Sequence, residues 1–177
     1  MASRESRRQA QLAKTRAELA ELAERGVACE GDAFSPILLV VGEGISAPLT
    51  AAADPALHAA LSALGYAPED WSVLSCELEG GAAIPSELLR LAVAALDPAT
   101  VVACDDAAAQ ALRECYAAEL SRLENLEAAM LSPGYVAQIL GMRVLALGNF
   151  AEALDDAKAK QLMWARLKQI PPLAEPY

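Results

Sequence analysis

Residue types that could carry out chemistry are scarce in this chain. It has a single histidine, His58, which we expect on a helix surface, and its four cysteines show no CxxC or CxxH spacing. The sequence therefore favours neither a disulfide scaffold nor a zinc site, and no metal is expected. The best-placed reactive group is Glu43, in the loop Gly42-Glu43-Gly44 after an apolar run. A carboxylate there can orient a water molecule or stabilise the start of the next helix, and the second role is favoured.

Composition and charge limit the classes of protein to which the chain can belong. Its 177 residues suit one domain spanning residues 1–177, and a hydrophobic content of 55% excludes a disordered chain. No apolar run is long enough to span a membrane and no signal peptide is evident, so we expect no membrane association and a cytoplasmic protein. A formal charge of −10 predicts weak or absent DNA binding, because basic surfaces bind phosphates.

Hydrophobic patterning places the candidate residues on an α/β framework. Continuous apolar runs, typical of parallel strands covered on both faces, alternate with stretches of helical periodicity. Strands are predicted at residues 36–41, 71–75, 100–104 and 142–147. Helices are predicted at residues 5–25, 55–64, 86–96 with Ser86 as N-cap, from Asp105 or Asp106 to about 130 with or without a break, and 155–169. The expected fold is a three-layer sandwich with a central four-stranded parallel sheet and helices on both faces.

The loops after these strands are acidic. Ligands of open parallel sheets bind beyond the carboxyl ends of the strands, so these loops form the expected site. The acids predicted there are Glu43, Glu77, Glu79, Asp105 and Asp106. Few basic residues accompany them, and the expected rim of the site repels phosphates.

Several stretches, in the same order along the chain, resemble the motifs of one family. They are QLAKTR at 11–16, EGD at 30–32, SPILLVVGE at 35–43, LDPATVVA at 96–103, AAAQAL at 107–112, and WARL at 164–167 preceded by Lys160. Together they resemble the iron–sulfur-containing family 4 uracil-DNA glycosylases over most of the chain. The resemblance implies the three-layer fold of that superfamily, and an ancestral activity that flips uracil out of DNA into a pocket and excises it.

The resemblance also places the functional positions of the family on residues of changed type. Glu43 lies at the water-positioning acid, but Asn149 stands at the catalytic histidine and Phe150 at the proline after it. Ser75 occupies the position of the asparagine that reads uracil. The remaining candidate substrate-binding residues are Gly42, Gly44 and Ser46. Asparagine can donate a hydrogen bond but cannot carry a proton, so Glu43 and Asn149 are vestigial candidates for catalysis.

The ligands of the family's four-iron four-sulfur cluster are also missing. The four cluster cysteines correspond to Arg7, Ala10, Glu79 and Pro85. We therefore expect no cofactor.

Two hypotheses follow. The first is a non-catalytic glycosylase-like protein that acts through binding, with a protein as the candidate partner; its oligomeric state and role stay open. Its candidate partner surfaces are the N-terminal helix and residues 116–130, although both could simply pack on their own core. The alternative is an enzyme that uses Glu43 and Asn149, either a divergent DNA glycosylase or a small nucleotide hydrolase.

Overall fold

The chain builds a mixed six-stranded sheet. A computed structural model describes residues 3–42 and 53–174. The strands are β1 (Cys29–Glu30), β2 (Ile37–Val41), β3 (Trp71–Ser75), β4 (Thr100–Ala103), β5 (Val136–Ile139) and β6 (Met142–Ala146). Their order across the sheet is β1-β3-β2-β4-β6-β5. The central four strands are parallel, and β1 and β5 are antiparallel edge strands.

The prediction of an α/β protein is confirmed, but the predicted four-stranded sheet was incomplete. All four predicted strands are present, and the two edge strands were missed. β1 has two residues, and β5 has four and follows the turn-prone Pro133-Gly134. Such short segments give almost no periodic signal, so only the long apolar runs were recognised as strands.

Eight helices of the described residues cover the sheet. They are α1 (Arg4–Glu24), α2 (Ala53–Leu64), α3 (Ser86–Leu96), α4 (Asp106–Cys115), α5 (Ala117–Leu120), α6 (Leu126–Ala129), α7 (Phe150–Ala153) and α8 (Ala157–Leu167). None of these helices is both long and apolar enough to cross a membrane.

The helices form two cores, one on each face of the sheet. Along β2 the side chains alternate, with Leu38 and Val40 in one core and Ile37, Leu39 and Val41 in the other. Helices α1, α3, α4, α5 and α6 contribute to the first core, and α2, α7 and α8 to the second. Both faces of the parallel strands are thus buried, which explains why β2 has no polar residue.

Three helix boundaries differ from the prediction. The stretch from Asp105 to about residue 130, expected to be helical with or without a break, forms three helices, because Tyr116 ends α4 and Asn125 starts α6 by accepting a bond from the Ala128 N–H. The helix expected at 155–169 is preceded by the separate short helix α7, and Asp156 caps α8. Ser86 is not an N-cap: it is the first residue of α3, and Pro85 precedes it as the cap. Proline suits this boundary because it has no N–H to leave unpaired.

A buried arginine connects the start of β6 to the C-terminal segment. Arg143 is only 9% exposed, and its guanidinium donates to Thr100 Oγ1 at 2.8 and 3.0 Å and to the Pro171 carbonyl at 2.8 Å. The nearby Tyr66 hydroxyl donates to the Ile170 carbonyl at 2.8 Å. These bonds hold residues 170–171 against the amino ends of β4 and β6.

Candidate functional site

The topology creates one crevice at the carboxyl edge of the parallel strands. β2 lies between β3 and β4. The chain runs from β2 to β3 on one side of it and then crosses over to β4 on the other side. Such a switch point separates the loops that follow the two inner strands and is the usual ligand site of open α/β sheets. Gly42 follows β2 here, and Asp105 follows β4 one residue after Cys104. The crevice is therefore where the predicted site belongs.

The side chain of Asp105 occupies this crevice. Its Oδ1 accepts a hydrogen bond from the Ala108 N–H at 2.8 Å, which caps α4, as predicted for Asp105 or Asp106. Its Oδ2 accepts from the Gly42 N–H, also at 2.8 Å. The approach is so close that a Cβ on Gly42 would lie 2.6 Å from both Asp105 Oδ1 and the Ala107 Cβ. One carboxylate therefore bridges the ends of β2 and β4.

Asn149 bonds to the same helix terminus. Its Oδ1 accepts from the Asp106 N–H at 3.0 Å, and its Nδ2 donates to Glu152 Oε2 at 3.4 Å. The structure brings Asn149 to the crevice, as predicted, but uses its amide to join the start of α4 to α7. Phe150 is buried in the core formed with α2 and α8, so its ring does not line an open substrate pocket.

Ser75 also has a structural role. It is fully buried at the end of β3, directly opposite Val41 in the parallel pair. Its Oγ accepts a hydrogen bond from the Glu77 N–H at 2.9 Å, which shapes the turn after the strand. Glu43, Gly44 and Ser46, the loop residues of the predicted site, lie outside the described residues.

Backbone amides that could bind an anion in the crevice already have acceptors. The N–H groups of Gly42, Asp106 and Ala108 bond to the side chains of Asp105 and Asn149. A helix N-terminus attracts anions because its first amides are unpaired. At the start of α4 the N–H groups of Asp106 and Ala108 already bond to the side chains of Asn149 and Asp105. The Asp105 carboxylate is negatively charged, as a phosphate is.

Arg166 lies at the carboxyl edge of the sheet, a contact that the sequence did not predict. Arg166 of α8 donates a hydrogen bond to the Leu147 carbonyl, just after β6. Its side chain also packs closely against two glycines. A Cβ added to Gly148 would lie 3.3 Å from Arg166 Nη1, and a Cβ added to Gly134 would lie 3.1 Å from Arg166 Cγ. Nothing in the spacing of Arg166 signals this contact, which joins positions 19 residues apart. The guanidinium supports the chain before Asn149.

A small pocket adjoins the crevice between α3 and α4. It has a volume of about 270 Å³, and its lining is mostly apolar, with Gln110 and Glu114 as the main polar groups. Gln110 Nε2 donates to Glu114 Oε1 at 2.7 Å. Cys76 also lines the pocket, and burial, with a smaller effect of the Asp105 charge, raises the pKa of its thiol to about 12. A thiol with this pKa stays protonated at neutral pH and is a poor nucleophile.

His58 and the cysteines are placed away from any reactive cluster. His58 is half-buried rather than on the helix surface as expected, and its ring stacks on Trp71 at a centroid distance of 4.9 Å. Trp71 begins β3, so this pair lies at the opposite end of that strand from the crevice. Within residues 3–42 and 53–174 no group of three or more His, Cys, Asp or Glu side chains is arranged to hold a metal ion.

Comparison with protein-family models gives no match, and a search of curated proteins gives no significant relative.

Proposed function

We propose that this chain is a uracil-DNA glycosylase-like protein, closest in its motifs to the family 4 type, that lacks excision activity and acts by binding a protein partner. One observation carries the proposal: the Asp105 carboxylate lies in the switch-point crevice and bonds to the Gly42 N–H at 2.8 Å. An active member of the family needs this crevice open to a flipped base. Here an anionic side chain of the chain itself lies between the ends of β2 and β4 and takes up the Gly42 N–H.

The replacement of the catalytic histidine supports the same conclusion. Excision of uracil leaves an anionic base, which the family stabilises with a histidine at the position of Asn149. An asparagine can donate only through its amide nitrogen, and here that nitrogen points to Glu152 while the oxygen accepts from Asp106. One of the two N–H groups of this nitrogen is turned to Glu152, and neither can supply the positive charge that a histidine brings to the anion.

Charge at the crevice argues against DNA as the partner. Asp105 is half-buried in it, and Asp106 and Glu152 are exposed beside it. Each adds a negative charge where a flipped nucleotide would bring its phosphates, and like charges close together in a cleft repel strongly. Arg166, a cation at the same edge of the sheet in the described part of the chain, is bonded to the Leu147 carbonyl.

The sheet supports the finer fold assignment. The parallel core β3-β2-β4-β6, with helices on both faces, fits the three-layer sandwich that the motifs imply. In this proposal β1 and β5 are additions at the two edges of that sandwich.

The test is an excision assay on single- and double-stranded oligonucleotides that contain one uracil, with deoxyuridine monophosphate as a small substrate. We expect no release of uracil above the buffer control, and equal background for the wild type, Glu43→Gln and Asn149→Ala. Fluorescence anisotropy should show no binding of either oligonucleotide at 0.1 M salt. Excision by the wild type that is lost in Glu43→Gln would overturn the proposal and establish an enzyme.

A further inference from the structure

Exposed apolar side chains are concentrated around the edge strand β5. Of the eight large hydrophobic residues that are exposed in the described part of the chain, four lie within residues 126–140. They are Leu126 (71% exposed), Met130 (55%), Tyr135 (46%) and Leu140 (65%). Tyr135 and Leu140 immediately precede and follow β5, and α6, which carries Leu126, packs against it. We call these four residues together with β5 the β5 surface.

The backbone of β5 is open on one side. β5 is the last strand of the sheet and pairs with β6 alone among the strands described. The pair Ile139–Met142 closes a two-residue turn, so Ile139 and Ala137 bond to β6. The N–H and C=O groups of Val136 and Gln138 therefore point away from the sheet. Helices α5 and α6 cover one face of β5 and leave this edge accessible.

The edge lacks the charges that usually protect such strands. Residues 128–142 form the longest stretch of the chain without Asp, Glu, Lys, Arg or His, although the whole chain carries a charge of −10. Natural edge strands are protected by lysine, by proline within the strand, by a bulge or by being very short. β5 is short, with four residues, but no lysine, proline or bulge interrupts Val136–Ile139.

The turn beyond β5 presents an apolar residue where a polar one is normal. Leu140 and Gly141 both have positive φ, 49° and 79°, which is the backbone of a type I′ turn. Asparagine or aspartate usually fills the first position, because leucine is strained in this conformation. The strained side chain of Leu140 is 65% exposed, so it gains nothing from packing within one copy of the chain.

We propose that β5 pairs antiparallel with β5 of a second copy of this chain about a two-fold axis, which joins the two sheets and covers the β5 surface. Antiparallel pairing of a strand with itself makes an isologous interface, so a single open edge serves both partners. Charge favours a second copy meeting here: two molecules of charge −10 repel each other over most of their surface and least where a segment is uncharged. This inference goes beyond the proposed function and does not depend on the absence of excision activity.

Sedimentation velocity and light scattering of the full chain over a range from a few micromolar to several hundred micromolar test the proposal. We expect a reversible rise toward twice the monomer mass of 18.5 kDa. Gln138→Glu places two carboxylates close together across the axis and should weaken the dimer at least tenfold. In the monomer the new carboxylate lies opposite Arg143, so the fold should tolerate it.

Two further variants make the test specific. Gln11→Glu, on the exposed part of α1, adds the same charge elsewhere and should leave the dimer intact. Leu140→Asn relieves the strained turn and removes the exposed leucine, so it should weaken the dimer without unfolding the monomer. A wild type that stays monomeric at every concentration would overturn the proposal, as would a dimer that Gln138→Glu and Leu140→Asn leave unchanged.

Discussion

The carboxylate of Asp105 makes two separate structural hydrogen bonds. It caps α4 through the Ala108 N–H and also fixes the end of β2 through the Gly42 N–H. The second bond joins residues 63 positions apart in sequence. Because Gly42 leaves no room for a Cβ, the backbone and the carboxylate fit each other as a pair.

Replacing Asp105 should therefore destabilise the protein far more than replacing its neighbour. Asp105→Ala removes a cap, which costs about 1 kcal/mol, and leaves the partly buried Gly42 N–H unpaired, which costs a further 1–3 kcal/mol or so. Asp106→Ala is the control: its side chain is exposed in the first turn of α4, and its loss should cost under about 1 kcal/mol. Urea unfolding of the two variants measures the difference. Equal losses would show that the bridge to Gly42 adds no stability.

At the scale of elements, α1 is unevenly attached to the rest of the fold. Its 21 residues bury only Thr15 and Leu22, and every residue from Ser3 to Lys14 is exposed except the half-buried Leu12. The Lys14–Glu18 ion pair at 3.6 Å is largely exposed and adds a few tenths of a kcal/mol at most. The attachment of α1 therefore depends on its C-terminal half, where Leu22 joins the core formed with α3 and α4.

This asymmetry predicts which changes to α1 matter. Deleting residues 1–11 should change the free energy of unfolding by less than about 1 kcal/mol, because the side chains of residues 3–11 are all exposed. Leu22→Ala should cost about 2–4 kcal/mol, as expected for a buried leucine in a packed core. Urea midpoints of the two variants provide the measurement. A deletion as costly as Leu22→Ala would mean that the first half of α1 is held in place by contacts of its own.

The elements that could be predicted from sequence are those with a strong local signal. β2 and β4 are runs of buried apolar residues, and the helices between the parallel strands begin or end at Pro, Gly or Asp residues that mark boundaries. β5 could not be predicted in this way, since its pairing with β6 is decided by the turn at Leu140-Gly141 rather than by its own four residues. The sequence left open whether the helix after Asp105 is broken and did not place the breaks at Tyr116 and Asn125, because alanine and leucine suit both a long helix and three short ones.

The candidate site was only half predictable for a similar reason. Strand ends in the sequence were enough to bring Gly42, Ser75 and Asn149 to one edge of the sheet. What each side chain does there depends on partners distant in the chain, such as Gly42 for Asp105 and Asp106 for Asn149. No local pattern encodes such partners, so the sequence indicated where the site lies but not that its own side chains fill it.

At the scale of the whole molecule, buried and partly buried thiols make the free energy of unfolding depend on pH in the alkaline range. Burial is the largest cause that raises the pKa of Cys29 and Cys115 to about 11 and that of Cys76 to about 12, against an ordinary value of 9.0. At a pH between 9.0 and the raised pKa of a thiol, the unfolded chain has released the thiol proton while the folded chain still holds it. The unfolded state is therefore favoured progressively as the pH rises above 9.

We expect the free energy of unfolding to fall between pH 9 and 11, with a slope of up to about 1.4 kcal/mol per pH unit from the buried Cys76 and smaller slopes from Cys29 and Cys115, which are only partly buried. Below pH 9 the thiols are protonated in both states, so their contribution should be constant there. Urea unfolding at pH 8 and pH 10.5 measures the change. Cys76→Ala is the control, since lysines and tyrosines titrate alike in both proteins; its loss over this interval should be smaller than that of the wild type. Identical losses would exclude Cys76 as a source of the pH dependence.

The bonds between Arg143 and the end of the described chain have a consequence for synthesis on the ribosome. The guanidinium of Arg143 and the hydroxyl of Tyr66 find their carbonyl acceptors at Pro171 and Ile170, which are translated well after β6. A nascent chain that has already produced all six strands therefore still lacks two of the acceptors that these buried donors use in the folded chain. The bonds that hold residues 170–171 against the amino ends of β4 and β6 can form only after residue 171 has left the exit tunnel.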